Sequence, residues 1–251
     1  MDSATISQTL MVTSVFTLAG AVKGISGMGL PTVAMSLLGL WMPATQAAAL
    51  LIAPSLATNL AQCHGPHGRS LARRLWPLWL GLTAMTLWAP GLGSGSESTA
   101  RRLLGVALVS YGVWGLWRPT LPQLQAEQRG VGAVVGLLTG AVTAATAVFV
   151  LPMVPYLQAL RLDKDEMVQA LGLSFGVATL ALAVRLGLGL GSEASAGSAW
   201  LTPLSAWALG AAFAGLWLGT RLRATLSGTA FQRSLFLIFI GLGAANLLKA
   251  G

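Results

Sequence analysis

The chain has 251 residues, of which 55% are apolar and only 9% charged, and its formal net charge is +8. A soluble domain carries about 25% charged residues, so this composition excludes a water-soluble fold. The mean hydropathy of +0.73 makes the lipid bilayer the expected solvent. The single cysteine, Cys63, excludes a disulfide framework and a cysteine zinc site, because each needs several thiols.

Ten apolar segments of helical length predict an all-α integral membrane protein with about ten transmembrane segments. They are residues 5–22, 30–42, 44–62, 75–92, 102–117, 130–145, 147–160, 167–190, 201–219 and 234–249. The second and seventh are too short for a straight crossing, which needs roughly 20 residues, so we expect them to be tilted or broken. Each follows small residues, GISGMGLP or GAVTAATA, that let the backbone bend or neighbouring helices approach closely.

The two halves of the chain resemble each other. At an offset of 116 residues, Gly20 and Gly24 align with Gly136 and Gly140, and after a four-residue insertion the offset becomes 120. This pattern predicts two five-segment repeats, residues 1–129 and 130–251, within one transmembrane domain. An odd number of crossings inverts the second repeat, and inverted repeats are typical of transporters.

The distribution of Lys and Arg predicts the orientation. With the N-terminus outside, eleven of these residues fall in loops assigned to the cytoplasm and three in outside loops. We therefore expect both termini outside, and we read the positive charge as membrane orientation, not as a nucleic-acid site. An eight-crossing model would place the basic loop 220–233 outside and fits worse. No Lys or Arg precedes Lys23, so the first segment lacks the basic start of a cleavable signal peptide and is expected to be retained.

The sequence predicts transport and no catalysis. No Gly-x-x-x-x-Gly-Lys-Ser/Thr loop occurs, so the energy for transport would come from a gradient, or the flux would be passive. GISG at 24–27 is similar to the Gly-x-Ser-Gly of rhomboid proteases, but such a serine needs a base. The only histidines, His64 and His67, lie in a predicted basic loop. An intramembrane hydrolase and a membrane assembly subunit remain the alternatives from other classes.

The ionisable residues favour an anion as cargo. All carboxylates fall in loops or at segment edges, so neither a buried acidic proton relay nor a cation site is predicted. Asp163, Asp165 and Glu166 are expected to cap a helix. Arg185 lies within an apolar segment, where it faces a cavity or a polar partner, or snorkels to the outer headgroups. Lys23 has the same two readings, a cavity residue or a cytoplasmic anchor.

Neutral polar residues complete the candidate site. Asn59 and Gln62 share a helix face, where they form interhelical hydrogen bonds or contact a ligand. The two repeat-related bends offer hydroxyl and backbone N–H donors that hold an anion, unless their small residues only permit close packing. The candidate substrate-binding residues are Lys23, Ser26, Gly27, Gly29, Asn59, Gln62, Thr143, Thr146 and Arg185.

Three stretches resemble the sulfite exporter TauE/SafE family of membrane permeases. They are KGISGMG, LWMPATQAAALLIAPSLATNLAQ, and TGAVTAATAVFVLPMVPYLQALRLDKDEMVQALGLSFGVATLALAVRLG. The similarity covers the whole chain in segment order, and its most specific piece is PYLQALRLDKDE followed by an apolar helix with a late arginine.

The resemblance implies import or export of sulfite, a sulfonate or a related organosulfur anion across a bacterial inner membrane, without a cofactor or metal. By position, the family's glycine motif falls on Gly24, Gly27 and Gly29, its following helix end on Asn59 and Gln62, and its second-half arginine on Arg185. The expected mechanism is alternating access between the two repeats. A passive anion channel or a permease for another solute is the runner-up. The expected partners are a small anionic substrate and the bilayer, with no nucleic acid, and a homodimer is left open.

Overall fold

The computed structural model describes residues 3–91, 96–117, 129–188, 202–223 and 228–250. Within them the chain forms ten α-helices and no strand, which confirms the all-α prediction. The helices are α1 (Ser3–Ser26), α2 (Leu30–Leu38), α3 (Ala44–Gln62), α4 (Gly68–Trp88), α5 (Glu97–Trp117), α6 (Arg129–Thr146), α7 (Met153–Ala159), α8 (Lys164–Gly187), α9 (Pro203–Leu222) and α10 (Gly228–Lys249). Residues 92, 189, 190 and 201, predicted at segment ends, lie outside the described residues.

The second and seventh helices are short, as the sequence predicts. α2 has 9 residues and α7 has 7. At 1.5 Å per residue they span about 14 Å and about 11 Å. Each is less than half of a hydrocarbon core of about 30 Å, so neither helix alone crosses the bilayer.

Several helices begin before the apolar segments that predicted them. α4 begins at Gly68 and not at residue 75, so Arg69, Arg73 and Arg74 lie on the helix and not in a loop. α10 likewise begins at Gly228 and includes Arg233. Hydropathy marks the part of a helix that fits lipid, whereas backbone hydrogen bonding continues into the basic residues beside it.

Three helices of the described part are long and apolar enough to cross a membrane by themselves: Ile6–Ser26, Lys164–Gly187 and Ala230–Lys249. Large apolar side chains lie on the surface, among them Trp88 (88% exposed) and Leu248 (84% exposed). A surface of this kind associates in water and is stable in lipid. The chain is therefore a multi-pass membrane protein.

The two halves pack through corresponding helix pairs. α1 packs against α9 as α6 packs against α4, and α3 contacts α9 as α8 contacts α4. The remaining large contacts, α3 with α8 and α5 with α10, each join helices that are five positions apart in chain order. α3 and α8 thus meet at the centre of the bundle.

Glycines set the closest of these contacts. A Cβ at Gly24 would lie 2.5 Å from the carbonyl oxygen of Leu216 and 2.7 Å from the nitrogen of Thr220, both on α9. In the other half, a Cβ at Gly140 would lie 2.5 Å from the oxygen of Leu82 on α4. Backbones approach this closely only when the contacting residue has no side chain. The two glycines that the sequence aligns therefore make the same contact in each half.

Candidate functional site

Lys23 is buried near the end of α1. Its side chain is 1% exposed. The Nζ atom donates a hydrogen bond to Thr58 Oγ1 at 3.0 Å and another to Asn59 Oδ1. Both acceptors belong to α3, so the amine is held inside the bundle and not at an exposed end of the helix.

Asn59 connects the lysine to the second half of the chain. Its Nδ2 atom donates to Ser55 Oγ at 3.2 Å and to Thr179 Oγ1 on α8 at 3.5 Å. The hydroxyls of Ser55 and Thr179 are 3.0 Å apart. We call Lys23, Ser55, Thr58, Asn59 and Thr179 the Lys23 cluster. All five residues are buried, and only the lysine is ionisable.

Three members of the Lys23 cluster were missed by the sequence reasoning, although the sequence carries a signal for each of them. Ser55, Thr58, Asn59 and Gln62 repeat at helical spacing along the otherwise apolar α3, and this pattern places them on one face. Thr179 is the residue that the offset of 120 aligns with Asn59. The polar stripe and the repeat together point to this contact between α3 and α8.

Gln62 links α3 to the bend after α1. Its Nε2 atom donates to the carbonyl oxygen of Gly27 at 2.9 Å, while its Oε1 atom is buried without a hydrogen-bond partner. Gly27 and Gly29 have φ angles of 81° and 101°, a region that favours glycine. Hydrogen bonds therefore connect the bend and Lys23 to the same face of α3.

The two bends share a hydrogen-bond pattern, in which one hydroxyl bonds to the backbone on both sides of it. Ser26 Oγ donates to Val22 O at 2.8 Å and accepts a hydrogen bond from Met28 N at 3.3 Å. In the second half, Thr146 Oγ1 donates to Val142 O at 2.7 Å and accepts from Val148 N at 3.2 Å. The residue after Thr146 is Ala147, with φ 54°. Each hydroxyl therefore terminates its own helix.

The second bend has no cation equivalent to Lys23. Thr143 lies three residues before Thr146, as Lys23 lies three residues before Ser26. The Thr143 side chain is buried and donates to the carbonyl oxygen of Thr139 at 2.7 Å, within α6. The second bend therefore has a neutral threonine where the first has a lysine.

Arg185 lies apart from the Lys23 cluster. It is buried, and its Nη1 atom donates to the carbonyl oxygens of Thr86 at 2.6 Å and Leu87 at 3.4 Å. These carbonyls end α4, where a cation also complements the helix dipole. Arg185 follows Thr179 by six residues on α8, which is about 9 Å along the axis. The guanidinium thus joins α8 to α4 and does not snorkel.

A pocket of about 300 Å³ lies on the other side of the first bend. Its uncharged wall comes from the bend and from α5, α7 and α10. The lining residues are Ser26, Met28, Tyr111, Trp114, Gly115, Val154, Pro155, Gln158, Gln232, Leu235 and Phe236. Tyr111 donates a hydrogen bond from its hydroxyl to Met28 Sδ at 3.4 Å. Ser26 and Met28 of the bend line this pocket, whereas Gln62 and Lys23 do not.

The acidic residues at the start of α8 cap it, as predicted. Asp163 occupies the N-cap position, and its N–H donates to Glu166 Oε2 at 3.4 Å. In the part of the chain that the structure describes, no three His, Cys, Asp or Glu residues group as metal ligands.

The family comparison covers both halves of this arrangement. A family model described as Sulfite exporter TauE/SafE matches residues 12–247. The comparisons with curated proteins and with solved structures each gave no match. The family match begins within α1 and ends within α10, so it includes the Lys23 cluster, both bends and Arg185. The chain therefore belongs to the TauE/SafE sulfite exporter family.

Proposed function

We propose that this permease is a secondary transporter that moves a small sulfur-containing anion, such as sulfite, a sulfonate or sulfoacetate, across a bacterial inner membrane by alternating access. Membership of a sulfite exporter family supports the anion class. The observation that carries the proposal is the buried Lys23 amine, whose two hydrogen-bond acceptors are neutral.

The Lys23 cluster has the chemistry of an anion site. A lysine ammonium has three N–H donors. Thr58 and Asn59 accept two of them, so the third N–H of the ammonium is left for an oxygen of the anion. A charge-assisted hydrogen bond of this kind is roughly twice as strong as a neutral one. Gln62, one helical turn beyond Asn59, and the backbone of Gly27 and Gly29 at the bend that Gln62 contacts would complete the anion's shell.

The helix contacts support two inverted five-helix repeats, 1–129 and 130–251. The pairs α1–α9 and α6–α4 correspond, and the aligned glycines at 24 and 140 make equivalent backbone contacts. Five helices per repeat invert the second repeat, with both termini outside. The Lys23 cluster joins α3 to α8, so the proposed anion site lies where the two repeats meet, as in other inverted-repeat transporters.

The two ends of α5 and α10 differ in a way that supports alternating access. The pocket of about 300 Å³ lies between the end of α5 and the start of α10. At the opposite end, Asn246 Nδ2 donates to Ser36 O at 3.2 Å and Lys249 Nζ donates to Leu40 O at 2.9 Å, which fastens α10 to the chain around α2. We infer that this conformation is open at the membrane face where the pocket lies. The basic first residues of α4 lie at the same face.

Arg185 has a different role in this proposal. Its guanidinium binds carbonyls at the end of α4, so we assign it to holding α8 against α4 and not to direct anion contact. Thr143 and Thr146 bond within α6, and we expect them to support the second bend.

Flux measured with the purified protein tests the proposal. Proteoliposomes containing the full chain would be assayed for uptake of sulfite, sulfoacetate, methanesulfonate, sulfate and chloride. Loss of one charge-assisted hydrogen bond should reduce transport of the sulfur anion by about 10- to 100-fold in Lys23→Met. Lys164→Met is the matched control, because Lys164 is exposed in the first turn of α8. Uptake that does not saturate indicates a channel. Absence of flux for every sulfur anion, with folded protein in the liposomes, would contradict the proposal.

A further inference from the structure

We propose that the anion crosses together with a proton, and that Lys23 carries this proton. Lys23 is then a neutral amine when the site is empty and an ammonium when the anion is bound. The inference rests on the proposed function, and it names the coupling ion that drives the same site.

The hydrogen bonds of Lys23 fit this exchange. A neutral amine has two N–H donors and one lone pair, whereas an ammonium has three N–H donors. Nζ has two acceptors, Thr58 Oγ1 and Asn59 Oδ1. Among the described residues, these two acceptors satisfy both N–H donors of a neutral amine, and they leave one N–H of an ammonium without an acceptor.

The described part of the chain offers no carboxylate to balance a charge on Lys23. Glu97 pairs with Arg101 at 2.5 Å, and Glu166 pairs with His67 at 3.4 Å. Asp163 and Asp165 are exposed at the start of α8. A buried ammonium without a counter-ion is costly, so the ammonium form needs the negative charge that a bound anion supplies.

The ionisable groups on the elements around Lys23 leave this conclusion unchanged. Within their bounds, α2 and α3 contain no charged residue. Burial raises the pKa of the Cys63 thiol at the end of α3, so the thiol stays neutral and supplies no counter-charge. The basic residues on or beside α9 and α10 are exposed or bonded elsewhere. They are Arg221, stacked on Trp217; Arg223 and Arg233, both exposed; and Lys249, bonded to Leu40 O.

The cycle balances in protons and charge. On one side of the membrane the Lys23 lone pair takes a proton from water, and the resulting ammonium binds the anion. After the access side changes, the anion leaves, the N–H bond breaks, and the proton returns to water on the other side. One proton moves with each anion, so a monovalent anion crosses without net charge and a divalent anion carries one net negative charge.

Ion-gradient experiments on the full chain in proteoliposomes test this stoichiometry. Methanesulfonate is a suitable monovalent probe, because it is the anion of a strong acid and brings no proton of its own. With the membrane potential clamped at zero, an inward proton gradient of one pH unit should accumulate it about tenfold. A potential without a pH gradient should not accumulate it. Sulfoacetate, with two charges, should respond to both gradients.

Two variants separate charge from proton transfer. Lys23→Arg keeps the cation but does not lose its proton in proteins. We expect it to exchange anion for anion while losing uptake driven by the pH gradient. Lys164→Arg, at an exposed position, should keep that uptake.

A binding measurement covers the case in which Lys23→Arg does not fold. In weakly buffered detergent solution at neutral pH, a pH-sensitive dye should report one proton taken up per methanesulfonate or sulfoacetate bound by the unmodified protein. Two results would overturn proton coupling and leave the transporter proposal standing. One is saturable, Lys23-dependent flux with no proton uptake, and the other is accumulation of methanesulfonate by the membrane potential alone. Absence of both binding and flux would overturn the proposed function itself.

Discussion

Replacing Gly215 by alanine tests whether close backbone contact between α1 and α9 stabilises the fold. A Cβ at Gly215 would overlap the carbonyl group of Thr17, lying 2.8 Å from its carbon, and would lie 2.9 Å from the nitrogen of Ala21. Cβ atoms essentially never approach other heavy atoms within 3.0 Å. α1 and α9 must therefore move apart along their whole contact, because backbone atoms, unlike a flexible side chain, do not yield locally.

Gly210 provides the matched control on the same helix. A Cβ at Gly210 meets nothing within 4 Å. Both substitutions gain the same helix propensity of about 0.8–1 kcal/mol, so the difference between them isolates the packing term. Overpacking of this kind costs about 1–3 kcal/mol. For a chain of this size each kcal/mol corresponds to about 2–4 °C in the unfolding midpoint.

The assay is thermal unfolding in detergent, followed by the loss of the monodisperse peak in size-exclusion chromatography. We expect the Gly215→Ala midpoint to lie about 2–12 °C below that of Gly210→Ala. Equal midpoints would refute the reasoning, because they would mean that α1 and α9 separate at no cost or do not pack as described.

Two further substitutions separate positions that hold helices together from positions that bind the anion. Arg185→Ala should lower the unfolding midpoint, because the carbonyls of Thr86 and Leu87 lose their hydrogen-bond donor. The KM for the anion, measured in proteoliposomes, should change less than twofold. A large rise in KM would instead show that Arg185 contributes to anion binding. Gln169→Leu removes three hydrogen bonds: two donated to the carbonyls of Cys63 and Gly65, at 2.8 and 3.0 Å, and one accepted from the His67 N–H at 3.1 Å. We therefore expect a loss of about 1–3 kcal/mol in unfolding free energy, and an unchanged midpoint would contradict this role.

The helices and the short elements follow from local properties of the sequence. Each of the ten apolar runs contains the centre of one described helix, and the small residues after Lys23 and before Ala147 mark the bends. The predicted starts of α4 and α10 are late, because their first turns carry arginines that hydropathy assigns to loops. The prediction thus fails where the helix continues beyond the part that fits lipid.

The candidate site is less predictable, because its contacts join residues distant in the chain. Lys23 and Asn59 were both chosen from the sequence, but their hydrogen bond depends on how α1 packs against α3. Thr179 becomes visible only when the repeat alignment is combined with the polar stripe of α3. The acceptors of Arg185 are backbone carbonyls, which every residue possesses, so no pattern of side chains indicates where its guanidinium binds.

The presence of a buried lysine at only one of the two bends has a kinetic consequence. If the two halves exchange roles as the access side changes, Lys23 moves with the first half, and Thr143 in the second half offers a hydroxyl that is already bonded to Thr139. The two end states of the carrier then differ in free energy, although the overall equilibrium is fixed by the gradients alone. We therefore expect the anion to have different KM values on the two membrane faces. Reversing the orientation of the protein in liposomes would interchange those two values.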